Sequence, residues 1–218
     1  QDLGPEDPLQ KPVEEIRHAT QRAAGLTRQL LIFSRKQTVQ PVVLDLNAVV
    51  KDLEKMLGRL IDENIAMTLV PGDHLGHVRA DAGYVGQLLM NLVVNARDAM
   101  PNGGQLTLGT SNVTLDEHYA QTHPGVRPGD YVMFSVSDTG TGMTDEVKAH
   151  LFEAFFTTKP KGKGTGLGLA TCQTIVRQSG GHLGVYSEWG KGTTFKVYLP
   201  RVLDTLRAWQ EQGRYTHL

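Results

Sequence analysis

The stretch from Asp138 to Leu169, DTGTGMTDEVKAHLFEAFFTTKPKGKGTGLGL, constrains the fold more than any other part of this 218-residue chain, because two glycine-rich turns bracket a short helix and a basic loop. Before it runs Tyr131 to Asp138, where Val132, Phe134 and Val136 alternate with Met133, Ser135 and Ser137. That period of two is a strand with one buried face, and it puts Asp138 on the buried side. A carboxylate there is costly unless it accepts hydrogen bonds. Gly140 and Gly142 follow at once and let backbone approach a flat ligand closely. A base carrying an amino group would satisfy the carboxylate, although an Asp capping a turn would give the same short pattern.

The second cluster adds an anion to the picture. Gly162, Gly164, Gly166 and Gly168 alternate with Lys163, Thr165, Leu167 and Leu169 and lead straight into a helical run. Backbone N–H groups turned toward a helix start, with Lys159, Lys161 and Lys163 beside them, suit a polyphosphate. A flexible surface loop would explain the glycines but not the three lysines. The pattern is neither a Walker loop nor a dinucleotide fingerprint.

A third constellation lies upstream. Asp81 is placed to cap a helix whose apolar face is Leu88, Leu89, Leu92, Val93, Ala96 and Met100, ended by Pro101 and the Gly103-Gly104 pair. On its other side Asn91, Asn95 and Asp98 fall at i, i+4 and i+7, along one stripe. Asn is a poor interior helix former, and its side-chain carbonyl suits a hard cation shared with phosphates, such as magnesium. Taken alone, the stripe also reads as a solvated face.

Around these lie a strand at Gln40 to Leu44, a helix from Leu46 to Ile61, a strand at Ile65 to Val70, a strand at Gln105 to Val113, and an irregular stretch from Asp116 to Asp130. A short helix follows from Asp145 to Leu151, then a helix from Leu167 to Ser179, and a hairpin of His182 to Ser187 with Thr193 to Leu199. Without a regular β-α-β rhythm, this predicts an α+β fold, a two-layer sandwich of a mixed β-sheet with helices on one face. Before it, Ile16, Ala19, Ala23, Leu26, Leu30 and Phe33 form the heptad seam of a long N-terminal helix, which needs partner helices to bury it. The chain thus divides into 1–37, 38–200 and a tail, 201–218.

The net charge of -1 gives no footprint for nucleic acid or an anionic membrane. The one cysteine, Cys172, excludes an internal disulfide, and the apolar runs are too short for a bilayer. A start at Gln1, with no signal peptide, reads as a piece of a longer cytoplasmic protein.

Five segments together resemble the catalytic, ATP-binding domain of bacterial sensor histidine kinases, in the superfamily that also holds DNA gyrase, Hsp90 and MutL, whose domain has the Bergerat-type fold. They are NLVVNARDAM (Asn91 to Met100), DTGTGM (Asp138 to Met143), FEAFFTTK (Phe152 to Lys159), GKGTGLGLA (Gly162 to Ala170) and GKGTTF (Gly190 to Phe195). The resemblance covers about 38–200, and 13–37 is similar to the second helix of the family's dimerisation and phosphoacceptor hairpin. It implies that Asp138 accepts from the adenine amino group, with Gly140, Gly142 and Met143 shaping the pocket and Thr193 near the base through its hydroxyl. Asn91 and Asn95 would hold Mg2+ and act with Lys159 on the phosphates of ATP. Phe152 to Gly166 would be the lid, and Gly164, Thr165, Gly166, Leu167, Gly168 and Leu169 would lie near the phosphates. At Asp98 many members carry Lys or Arg instead.

The resemblance further implies a response regulator receiver domain as partner and a homodimer formed through the hairpin in the parent protein, with no nucleic acid and no direct membrane contact. His18 does not fit the family's phosphoacceptor pattern, so the acceptor histidine is expected on an upstream helix absent from this chain. Gyrase-type ATPases place a Glu general base where Asn91 stands, and asparagine cannot take a proton from water. A non-enzymatic nucleotide- or second-messenger-binding module is the remaining alternative.

Overall fold

A computed structural model of the chain describes residue 13 and residues 40–58, 60–160 and 164–202. Apart from residue 13, the expected heptad helix over 13–37 lies outside the described residues, as do 203–218 and Lys161, Gly162 and Lys163. In order the elements are β1 (Val42–Leu44), α1 (Leu46–Gly58), β2 (Ile65–Val70), β3 (His77–Ala80), α2 (Ala82–Ala99), β4 (Gly104–Leu115), α3 (Glu117–Thr122), β5 (Gly129–Asp138), α4 (Asp145–His150), α5 (Gly168–Gln178), β6 (His182–Glu188) and β7 (Gly192–Val202).

The strands form one mixed sheet in the order β1-β3-β7-β5-β4-β2, and β6 also pairs with β7. β2 runs parallel to β4, and the other pairings are antiparallel. The expected alternation in β5 holds: Val132, Phe134, Val136 and Asp138 are buried, while Met133, Ser135 and Ser137 are half-buried. Register places Asp138 between Leu106 of β4 and Thr193 of β7. The two-layer α+β architecture is therefore as the sequence implies.

The main core lies between the buried sheet face (Leu106, Phe134, Val136, Val197) and the apolar faces of α2 (Leu88, Leu92, Val93) and α5 (Cys172, Ile175, Val176), with Leu46 and Leu57 of α1. Each such side chain contributes roughly 1.5–3 kcal/mol by burial. Asp81 caps α2 as its position predicts, accepting from the Tyr84 N–H at 3.1 Å.

The main departures from the sequence reading are in α1, β3, β7 and α3. α1 stops at Gly58 instead of reaching 61, although Leu60 and Ile61 still pack against the core. β3, too short to show a period, was not expected; pairing with β1 and with the end of β7 defines it. β7 itself runs to Val202, two residues past the expected domain boundary. Within the stretch read as irregular, Asp116 caps α3 by accepting from the Tyr119 N–H at 2.7 Å. α3 buries none of its residues, so it carries no apolar stripe. Its Tyr119 packs against a second cluster of Leu115, Tyr131 and Tyr198, so a helix also touches the other face of the sheet.

Candidate functional site

At the end of β5 the Asp138 carboxylate is 8% exposed. Its Oδ1 accepts two backbone N–H bonds, from Gly140 at 2.9 Å and from Thr193 at 3.2 Å. Burial pushes the carboxyl above the usual aspartate range, against the downward pull of those two donors. The chain around it is held backbone to backbone: Thr141 N–H donates to Ala99 O, and Gly190 N–H to Thr141 O. Glycine is required at Gly142 and Gly192, which lie at φ +65° and +98°, because a Cβ would stand 2.0 Å from Glu188 O and from Asp138 O respectively. The β6-β7 hairpin can approach the Asp138 loop this closely only without side chains at those points.

The polar stripe of α2 faces Lys159 and the start of α5. Asn91 Nδ2 donates to Gly168 O at 3.2 Å. Lys159 Nζ donates to Asn95 Oδ1 at 3.2 Å and forms an ion pair with Asp98 Oδ2. Burial acts to raise the Asp98 carboxyl, but hydrogen bonds and charge from Lys159 and Arg97 more than offset it and hold the group below the usual range. A cavity of about 690 Å³ is lined at once by Asp138, Thr193, Asn91, Asn95 and Lys159, with Met143, Leu151 and Phe195 among its apolar walls.

Of the expected site residues, Gly142, Met143, Gly164, Thr165, Gly166, Gly168 and Leu169 also line this cavity. Gly140 and Leu167 do not. A Cβ on Gly140 would meet Ala99 O at 2.5 Å, so that glycine lets the loop pack on the end of α2. Leu167 is buried, and its N–H donates to Thr165 Oγ1 at 3.3 Å. The Thr193 hydroxyl pairs with Ser187 Oγ at 2.9 Å, so its backbone N–H, not its hydroxyl, reaches Asp138. Among the lining residues the sequence reading passed over are Met90, Val94 and Phe195. Their apolar character was visible, but an apolar residue on a helix or strand reads equally as core.

The residues offered to a cation are carbonyl oxygens. Asn91 donates its amide nitrogen to Gly168 O, and Asn95 Oδ1 takes a cationic donor. Both fit a hard ion that keeps part of its water. Among the described residues no helix is long and apolar enough to cross a membrane.

The chain is similar to known proteins in sequence and fold. A family model described as histidine kinase-, DNA gyrase B-, and HSP90-like ATPase matches residues 80–203. The chain is 48% identical over 202 residues to the sensor kinase CckA of Brucella abortus (strain 2308), covering 93% of this chain and 21% of that protein. It is 34% identical over 172 residues to the sensor histidine kinase ZraS of Escherichia coli (strain K12), covering 75% of this chain and 33% of that one. The chain thus spans a minor part of these curated relatives. Among solved structures, full-length ShkA in complex with AMPPNP superposes with a TM-score of 0.71 at 25% identity, covering 94% of this chain and 41% of that chain. The catalytic domain of histidine kinase ThkA gives 0.57 at 26% identity, covering 74% and 96%.

Proposed function

Because the chain belongs to the histidine kinase-, DNA gyrase B- and HSP90-like ATPase family, we propose that it is the ATP-binding, phosphoryl-donor module of a two-component sensor histidine kinase. In the whole protein the γ-phosphate of ATP would pass to a histidine on an upstream helix and then to a response regulator. Dimerisation would run through the hairpin that carries this histidine, and the module would work in the cytoplasm, where ATP is supplied.

The observation that carries the reading is the pairing of two unlike ends in one cavity. At one end Asp138 has Oδ1 committed to two backbone N–H groups, and the carboxylate lines the cavity, where it would accept from an amino-bearing base. At the other end Lys159, Asn91 and Asn95 suit phosphate and metal. Met143, Leu151 and Phe195 provide apolar walls for the ring between them. Phosphoryl transfer draws most of its catalysis from placing donor and acceptor in line and neutralising phosphate charge. This chain's residues therefore grip the donor, and the attacking imidazole comes from elsewhere. Magnesium, held by Asn91 and Asn95, would supply part of that neutralisation. With asparagine at 91, no carboxylate stands there to deprotonate water, which favours transfer over hydrolysis. The AMPPNP in the ShkA complex supports a nucleotide in this cavity.

Calorimetric titration with ATP, ADP and GTP, each with and without magnesium, tests this. ATP should bind at least about tenfold more tightly than GTP, whose carbonyl would face the Asp138 carboxylate, a difference of about 1.4 kcal/mol. Equal affinities would remove the adenine assignment.

A further inference from the structure

Lys159 holds its ammonium on the oxygen that a metal ion would need. Nζ lies 3.2 Å from Asn95 Oδ1 and is paired with Asp98 Oδ2. Asp98 is itself tied down from behind: its Oδ1 accepts from Arg97 Nε at 3.0 Å and from Arg97 Nη2 at 2.7 Å, while Arg97 Nη1 donates to Leu60 O at 3.0 Å. Helix α2 thus dictates where the ammonium sits, although Lys159 belongs to the loop before α5. The Lys159 and Asp98 side chains are only 30% and 26% exposed, so the pair is partly shielded from water.

An ammonium and a divalent cation cannot share Asn95 Oδ1. An amide oxygen has two lone pairs, but two like charges held on one atom repel strongly in a partly shielded site. We propose that Lys159 is a resident stand-in cation, kept on Asn95 by Asp98 as positioning residue, and that a divalent cation enters only when a polyphosphate gives Lys159 a new partner. The exchange step rests on the nucleotide reading above, whereas the occupancy of Asn95 rests on the hydrogen bonds alone. After the exchange Asp98 remains paired with Arg97, so no bare carboxylate is left beside the phosphates. Metal and polyphosphate then bind cooperatively, and the cavity without nucleotide holds the metal more weakly.

Manganese is the probe, read as paramagnetic broadening of the Asn95 and Asp98 amide resonances with no nucleotide present. Replacing the ammonium by an uncharged chain, Lys159→Met, should bring broadening at about a fivefold lower manganese concentration than in the wild type, by removal of one positive charge. An equal response in wild type and Lys159→Met overturns the proposal. Because the lysine substitution also changes the loop, a second readout leaves it in place: acylation of Lys159 by an amine-reactive reagent. Asp98→Asn should speed that reaction several-fold, and Asp98→Glu should restore protection; an unchanged rate in Asp98→Asn overturns the positioning role. ATP binding is measured alongside. If ATP fails to bind while the manganese result holds, the nucleotide reading falls and the stand-in remains. If ATP binds and manganese does not discriminate, the stand-in falls alone.

Discussion

Around Asp138 the backbone of the α2 end, the loop after β5 and the β6-β7 hairpin bond to one another, whereas at the other end side chains of α2 do the bonding, Asn95 and Asp98 to Lys159 and Asn91 to the first residue of α5. The first arrangement uses peptide groups, whose partners cannot change without moving whole strands. The second uses flexible side chains that can trade partners one at a time at low cost. Under the function proposed above, the base end would be a fixed template and the phosphate end an exchangeable clasp, suited to a uniform base and to a group that binds, reacts and leaves.

The largest test of this contrast is steric. Gly192→Ala places a Cβ 2.0 Å from Asp138 O at φ +98°, which should cost about 3 kcal/mol or more in a urea denaturation series. Gly164→Ala puts its Cβ nearest to Thr157 Oγ1, at 2.5 Å, a side-chain atom that can rotate away. It should cost less than about 1 kcal/mol. Similar losses for the two variants would abolish the distinction.

A smaller effect separates the ends by ligand. Asp138→Asn keeps an oxygen for Gly140 and Thr193 but can turn an amide donor toward the base, so ATP should bind more weakly by ~1 to 3 kcal/mol. Inorganic tripolyphosphate, which meets only the clasp, should be unaffected. A matching loss for both ligands would show that the two ends do not act separately.

The most subtle test is acidification. Asp138 is raised by burial, and only its ionised form accepts from an amino group. The proposed adenine recognition should therefore be present above its folded pKa and lost as pH falls through it, sooner than for an ordinary aspartate. Asp98 is shifted the other way, since Lys159 and Arg97 outweigh its burial. The stability it contributes is present above the ordinary aspartate pKa and is lost only as pH falls through its lower folded value. Following both carboxyl resonances by NMR should show Asp138 protonating first, and the reverse order would contradict the contrast.

Much of this was legible in the residues. The period of two in β5 and the apolar face of α2 report burial directly, and Asp81 and the glycines report local backbone geometry, because these depend on neighbours in the chain. Five motifs in order were enough to point to the family that the 80–203 match bears out. Short elements escaped, since β3 is four residues long and α3 buries no stripe, leaving no period to detect.

What only the tertiary structure decided concerns atoms far apart in sequence. The sequence put Lys159 near phosphate, but not on Asn95 and Asp98, 64 and 61 residues away. It named Thr193, but the sheet register gave its N–H to Asp138 and its hydroxyl to Ser187. It marked Gly140 as part of the site, but not that a Cβ there would meet Ala99 O at the end of α2. The pattern of a sequence encodes which residues are buried and which dihedrals they tolerate. Which atom of a buried or half-buried residue meets which partner depends on the path of the whole chain, and that path fixed the two ends of the cavity.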